Sequence, residues 1–121
     1  MITRSEKWPI DWAVLADTAG RNASRLLPQL IPIFLEDGDL LVVHMAQALQ
    51  AGDAGQLQQA AHRLKGNSAS LGTMTIAQMA SKLEILGKAG DLITAVHNFA
   101  VLSEEYEKVK TALLTLLDQA G

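Results

Sequence analysis

Ala60-Ala61-His62-Arg63-Leu64-Lys65-Gly66-Asn67-Ser68-Ala69-Ser70-Leu71-Gly72 lies at the middle of the chain and sets the register of what surrounds it. With Leu57 before it, the positions Leu57, Ala61, Leu64, Ser68 and Leu71 recur at steps of four, three, four and three, which is one face of an amphipathic helix. At about 100° per residue His62 points roughly 140° away from Leu57, toward solvent. Lys65, Gly66 and Ala69 follow at i+3, i+4 and i+7 and share that outward stripe. A glycine inside a helix costs about 1 kcal/mol relative to alanine. Clearance for something large approaching the imidazole is the simplest reason for Gly66. A solvated imidazole is an available nucleophile near neutral pH, and an ammonium one turn away can neutralise a phosphoryl group placed on it. The pattern therefore points to a histidine that carries phosphate.

Working outward, Asp53 is placed to cap this helix, with Gln56 at the third position of a capping box, and Gly72 is placed to stop it. Thr75 is expected to cap the next helix, with Gln78 three residues on and Met74 and Met79 as a hydrophobic staple. Ile76, Met79, Leu83 and Leu86 form its apolar stripe, and Gly87 or Gly90 closes it. Asp91 caps a last helix in which Leu92, Phe99, Tyr106 and Leu113 repeat every seven residues and Ala95, Leu102, Val109 and Leu116 fill the complementary position. Such a seam serves an intramolecular bundle or a coiled-coil dimer. The short glycine-ended connections favour antiparallel neighbours within one chain.

Upstream, Leu27, Leu30, Ile31, Phe34 and Leu35 describe another apolar stripe, capped by Asn22 or Ser24 and complicated by Pro28 and Pro32. Glu36-Asp37-Gly38-Asp39 interrupts it before Leu41, Met45 and Leu49 resume, so one kinked helix and two helices both remain open. The acidic run lacks the ligand spacing of a calcium loop and reads as a solvated kink or loop. A short helix capped by Asp11 is expected to run to about Ala19, after a polar lead-in or linker over residues 1–8. The expected architecture is thus all-α: an antiparallel up-down-up-down four-helix bundle with a short extra N-terminal helix, residues 9–121 forming one domain.

Composition narrows the function. A chain of 121 residues holds one core without staples, and with no cysteine it has neither disulfides nor thiolate metal sites. A net charge of −3 without a basic cluster argues against nucleic acid as partner. The apolar stretches around Leu26–Leu35 and Leu40–Ala48 are broken by Pro28, Gln29, Pro32 and His44 and fall short of the roughly 18 residues a membrane span needs. No signal peptide is visible in the first dozen residues, so a cytoplasmic protein, or a cytoplasmic piece of a larger one, is expected.

His62-Arg63-Leu64-Lys65-Gly66, preceded by Ala61 and followed by Ser68, Leu71-Gly72 and later Leu83-Glu84, resembles the signature of the histidine phosphotransfer (HPt) domains of bacterial two-component phosphorelays. The likeness spans about Asp11 to Leu117. It implies that His62 accepts a phosphoryl group from an aspartyl phosphate on one receiver domain and passes it to another. Those receivers would belong to a hybrid sensor kinase or a response regulator. It also implies that Glu84, at the flank of its helix, accepts a hydrogen bond from the ring. That contact would keep Nδ1 protonated and leave Nε2 as the phosphoryl acceptor. Lys65 would supply positive charge to the phosphoryl group, Gly66 clearance for the partner, and Gln58, Gln59, Ala69 and Thr73 a shallow docking platform, completed by apolar side chains from the second or N-terminal helix.

No metal or nucleotide site is visible in the sequence, so Mg2+ is expected on the partner receiver, and the chain reads as a monomeric phosphocarrier without kinase activity of its own. Two other readings compete. A helical dimerisation or adaptor module would use the Leu92–Leu116 seam and leave His62 incidental. A metal- or ligand-binding bundle would need inward-facing histidines and carboxylates, which the apolar stripes lack. Glu84 pairing with Lys88 at i+4, and His44 and His97 as structural or solvated residues, complete the bland readings.

Overall fold

Four α-helices account for almost all of the described residues, 23–71 and 73–120, of a computed structural model: α1 Ala23–Ala51, α2 Ala54–Leu71, α3 Met74–Ala89 and α4 Leu92–Ala120. The expected lead-in and N-terminal helix lie outside these residues. α1 packs on α2 and α4, and α3 on α2 and α4, so the four close into an antiparallel up-down-up-down bundle with connections of two residues.

The turns follow from their residues. After α1 the Asp53 N–H donates to the Ala48 carbonyl at 2.8 Å and Gly52 takes a φ of 69°. After α3 the Asp91 N–H donates to Leu86 at 2.9 Å and Gly90 takes a φ of 74°. Both are left-handed helix ends that only glycine adopts without strain. The next helices start where their aspartates say they should. Asp53 Oδ1 accepts from the Gln56 N–H at 3.0 Å, and Asp91 accepts from the Thr94 N–H at 3.1 Å and the Thr94 hydroxyl at 2.7 Å. The Thr94 hydroxyl and N–H hold the Asp91 carboxyl below the usual carboxylate range.

α3 departs from expectation at its start. It begins at Met74, so Thr75 lies inside it, and Thr73 occupies the cap position without making a side-chain cap bond. The Thr73 hydroxyl and N–H both turn back to the Ser68 carbonyl at 2.9 Å. Thr73 thus completes the end of α2 rather than the beginning of α3, because α2's last carbonyls are otherwise unpaired.

α1 is one helix, continuous through Pro28, Pro32 and the acidic run. Each interior proline costs about 3 kcal/mol. Ile31, Phe34 and Leu35 are buried between and just beyond them, and side chains of this kind contribute about 1.5–3 kcal/mol apiece. Tertiary burial therefore outweighs the local penalty. Glu36–Asp39 is accordingly helical and not a loop. Gly38 is buried against α4, where an added Cβ would stand 2.5 Å from the Tyr106 hydroxyl. Asp39 accepts from that hydroxyl at 2.8 Å and from Lys110 at 3.0 Å, while Asp37 accepts from Arg63 at 3.2 Å and from Asn67. Burial, with the Asp39 carboxylate beside it, pushes the Tyr106 phenol far up.

The heptad seam of α4 is used within the chain. Ala95, Leu102, Tyr106, Val109, Leu113 and Leu116 are buried together with Ile31, Met45, Leu57, Leu64, Ile76 and Leu83 from the other three helices. Leu92 and Phe99 pack half-buried at its edge. Glycine has a different part at Gly87, where α3 crosses the start of α2: a Cβ there would lie 3.0 Å from the Ala54 carbonyl oxygen and the Gln58 nitrogen. Gly90 is the residue that ends the helix.

Candidate functional site

Leu57, Ala61, Leu64, Ser68 and Leu71 are all buried, which turns the opposite stripe of α2 to solvent as the periodicity requires. His62 stands on that stripe with 65% of its side chain exposed. Its Nδ1 lies 2.7 Å from Oε2 of Glu84 on α3, and Nζ of Lys65 donates to the other oxygen, Oε1, at 2.6 Å. Leu83, buried beside Glu84, anchors α3 so that its flank faces the flank of α2.

The Lys65 ammonium, aided by His62 and opposed by partial desolvation, holds the Glu84 carboxyl below the usual glutamate range. An ionised carboxylate only accepts, so a hydrogen bond across the 2.7 Å contact requires the hydrogen on Nδ1 of His62. A neutral ring then has its lone pair at Nε2. Both Glu84 oxygens are occupied by these two partners, in place of an i,i+4 pair with Lys88.

Gly66 is exposed, and a Cβ added to it would meet nothing within 4 Å. Neither packing nor a positive φ asks for glycine there, unlike Gly38, Gly87 and Gly90. Of the four platform positions, Gln59 is exposed and Gln58 and Ala69 are half-buried on the same helix. Thr73 is fully buried, so it is no part of an exposed platform. Its position past the end of α2 breaks the helical spacing on which it was placed there.

Beside this stripe lies a surface that reasoning from α2 alone misses. Ile33, Leu40 and Val43 of α1 are 64%, 52% and 50% exposed. Their spacing of seven and three puts them on one helix face, away from the buried Ile31, Leu35 and Leu41, and that surplus was the readable signal. Ile33 and Leu40 line an open groove of about 510 Å3 together with Leu30, Asn67, Ser70 and Leu71. Asp37, holding Arg63 and Asn67, ties α1 to α2 along its rim. Among the described residues no group of three or more histidines and carboxylates is placed to hold a metal ion. No described helix is long and apolar enough to cross a membrane.

No curated protein matches the chain. Among solved structures it is similar to histidine-containing phosphotransfer protein B (HptB) from Pseudomonas aeruginosa PAO1, with 27% identity and a TM-score of 0.86 over 95% of this chain and 98% of that one. The family model of the Hpt domain matches residues 29–112, which include both His62 and Glu84. The chain therefore belongs to the Hpt domain family, the histidine phosphotransfer domains of two-component signalling.

Proposed function

We propose that His62 is the phosphoryl-accepting residue and that Nε2 is the acceptor atom. The observation that carries this reading is the contact between Nδ1 and Glu84 on a ring otherwise turned to solvent. The Nε2 lone pair attacks the phosphorus of a receiver's aspartyl phosphate. The N–P bond forms as the P–O bond to the aspartyl oxygen breaks, and that bond's electron pair leaves with the carboxylate. The ring becomes a phosphoryl-imidazolium that retains its Nδ1 hydrogen, and its positive charge develops directly against Glu84. Onward transfer is the same step reversed, toward the aspartate of a second receiver.

Lys65 neutralises phosphoryl oxygens and Gly66 leaves room for the receiver to bring its aspartate to the ring. Gln58, Gln59 and Ala69 lie under the docked receiver. Its apolar contacts fall on Ile33, Leu40 and Val43, the exposed apolar residues of the adjoining helix. Magnesium comes with the receiver. The chain acts as a monomeric cytoplasmic carrier and does not phosphorylate itself from ATP.

Incubation with a phosphorylated receiver domain tests the assignment. Wild type should acquire an acid-labile, alkali-stable label that His62→Gln lacks, and equal labelling of both proteins would overturn it.

A further inference from the structure

His44 has no part in the site described above, yet it borders a second hollow beside it. Between α1 and α2 a cavity of about 200 Å3 opens to solvent, with the buried Leu41 and Ala60 beneath and Gln56, Gln59, Arg63 and the half-buried His44 around it. Gln59 stands one turn before His62 and Arg63 is the residue after it, so a protein that reaches the ring also covers the cavity. Its volume falls short of the roughly 300 Å3 at which small-molecule pockets begin, which leaves room for one side chain rather than a metabolite.

The lining has a definite charge. Arg63 is a permanent cation, 64% exposed, and Asp37 takes only its Nη2, at 3.2 Å, so other donors of the guanidinium remain for a ligand. His44 adds an imidazole, the group that changes charge between about pH 5 and pH 8. Gln56 and Gln59 add amides. Among the described residues no carboxylate lines the cavity. The carboxylates that touch its lining residues are already engaged, Asp37 with Arg63 and Asn67, and Asp53 with the Gln56 N–H. One turn from His44 on either side stand the uncharged Leu40 and Ala48.

We propose that this cavity takes a carboxylate side chain of the docked receiver, held by Arg63 and by protonated His44, and that docking therefore tightens as pH falls through the histidine range. The partner's identity rests on the carrier reading above. A domain that holds Mg2+ beside its aspartate presents further carboxylates there, the complement of this lining. Leu40 and Val43, exposed on α1 beside His44, bring the apolar contacts and the cavity under one docked surface.

Binding is read in a His62→Gln background, which removes both transfer and the titration of that ring, so the result stands apart from whether His62 accepts phosphate. Isothermal titration calorimetry with an unphosphorylated receiver domain that binds the chain gives Kd at about pH 6 and about pH 8. Dividing each variant's Kd by the parent's at the same pH cancels the receiver's own titration. Arg63→Met should raise Kd roughly tenfold at both values. His44→Gln should raise it roughly threefold or more at the lower pH and leave it unchanged at the higher. Both side chains reach the surface, and backbone amide spectra establish that each variant is folded. An unchanged Kd in Arg63→Met, or the same ratio at both pH values in His44→Gln, would overturn the proposal. So would inorganic phosphate that shifts the resonances of both residues without competing with the receiver, which would assign the cavity to a free anion.

Discussion

Oε2 of Glu84 and Nδ1 of His62, twenty-two residues apart in the chain, stand 2.7 Å from each other across the contact between α2 and α3. Two features of the backbone produce that meeting. The connection between the helices is only two residues long, so positions equally far from it fall side by side, and Leu64 and Leu83 are buried next to the pair and fix both helix rotations. This contact makes Glu84 the residue whose loss should hurt acceptance most after His62 itself.

Glu84→Ala removes both the acceptor and its charge, and acceptance of a phosphoryl group from a receiver should slow by about 10–100-fold, the equivalent of one charged hydrogen bond of about 1.5–3 kcal/mol. Glu84→Gln retains an acceptor without the charge and should fall between the two. Single-turnover transfer measures both, and an Ala variant as fast as wild type would show that the ring needs no orienting partner.

Gly66 and Gly38 are both helical glycines, and they should respond oppositely to the same change. Gly66→Ala enters open space and should stabilise the fold by about 0.5–1 kcal/mol in urea denaturation. Gly66→Gln should leave helicity intact and slow transfer, through crowding of the ring. Loss of fold in that variant would mean that the glycine serves packing.

Gly38→Ala drives a methyl group against the Tyr106 hydroxyl and should destabilise by about 1–3 kcal/mol. The penalty should shrink in a Tyr106→Phe background, because the atom nearest the new methyl is then absent. Equal penalties in both backgrounds would place the strain elsewhere.

Glu84 also sets a pH dependence. Its carboxyl titrates below the usual glutamate range, chiefly because of Lys65, so its stabilising contribution is fully present above that range and is lost as pH falls through the lowered value. Following the Glu84 carboxyl carbon by NMR should give a midpoint below that of an exposed glutamate, and Lys65→Met should move it upward. A midpoint unmoved by Lys65→Met would mean that the ammonium contact does not persist in solution.

The residues that made the fold and the site legible are those whose message is local. Asp53 and Asp91 announce helix starts, Gly52 and Gly90 announce ends, and the outward turn of His62 follows from buried positions on its own helix. What stayed hidden depends on another helix. Glu36–Asp39 resembles a break until Tyr106, Lys110, Arg63 and Asn67 are seen to take its carboxylates. Thr75 resembles a cap because nothing nearby reveals that Thr73 is drawn back to Ser68. The same tertiary pull buries Thr73 and removes it from the platform. Ile33, Leu40 and Val43 were readable as a second apolar face, but only once the first had been assigned to the core.

The central claim concerns one atom. Phosphorylating the protein from a receiver and correlating 31P with the imidazole protons identifies the nitrogen that bears phosphorus. The account predicts a single phosphohistidine, at Nε2 of His62; phosphorus on Nδ1, or on His44 or His97 instead, would contradict it.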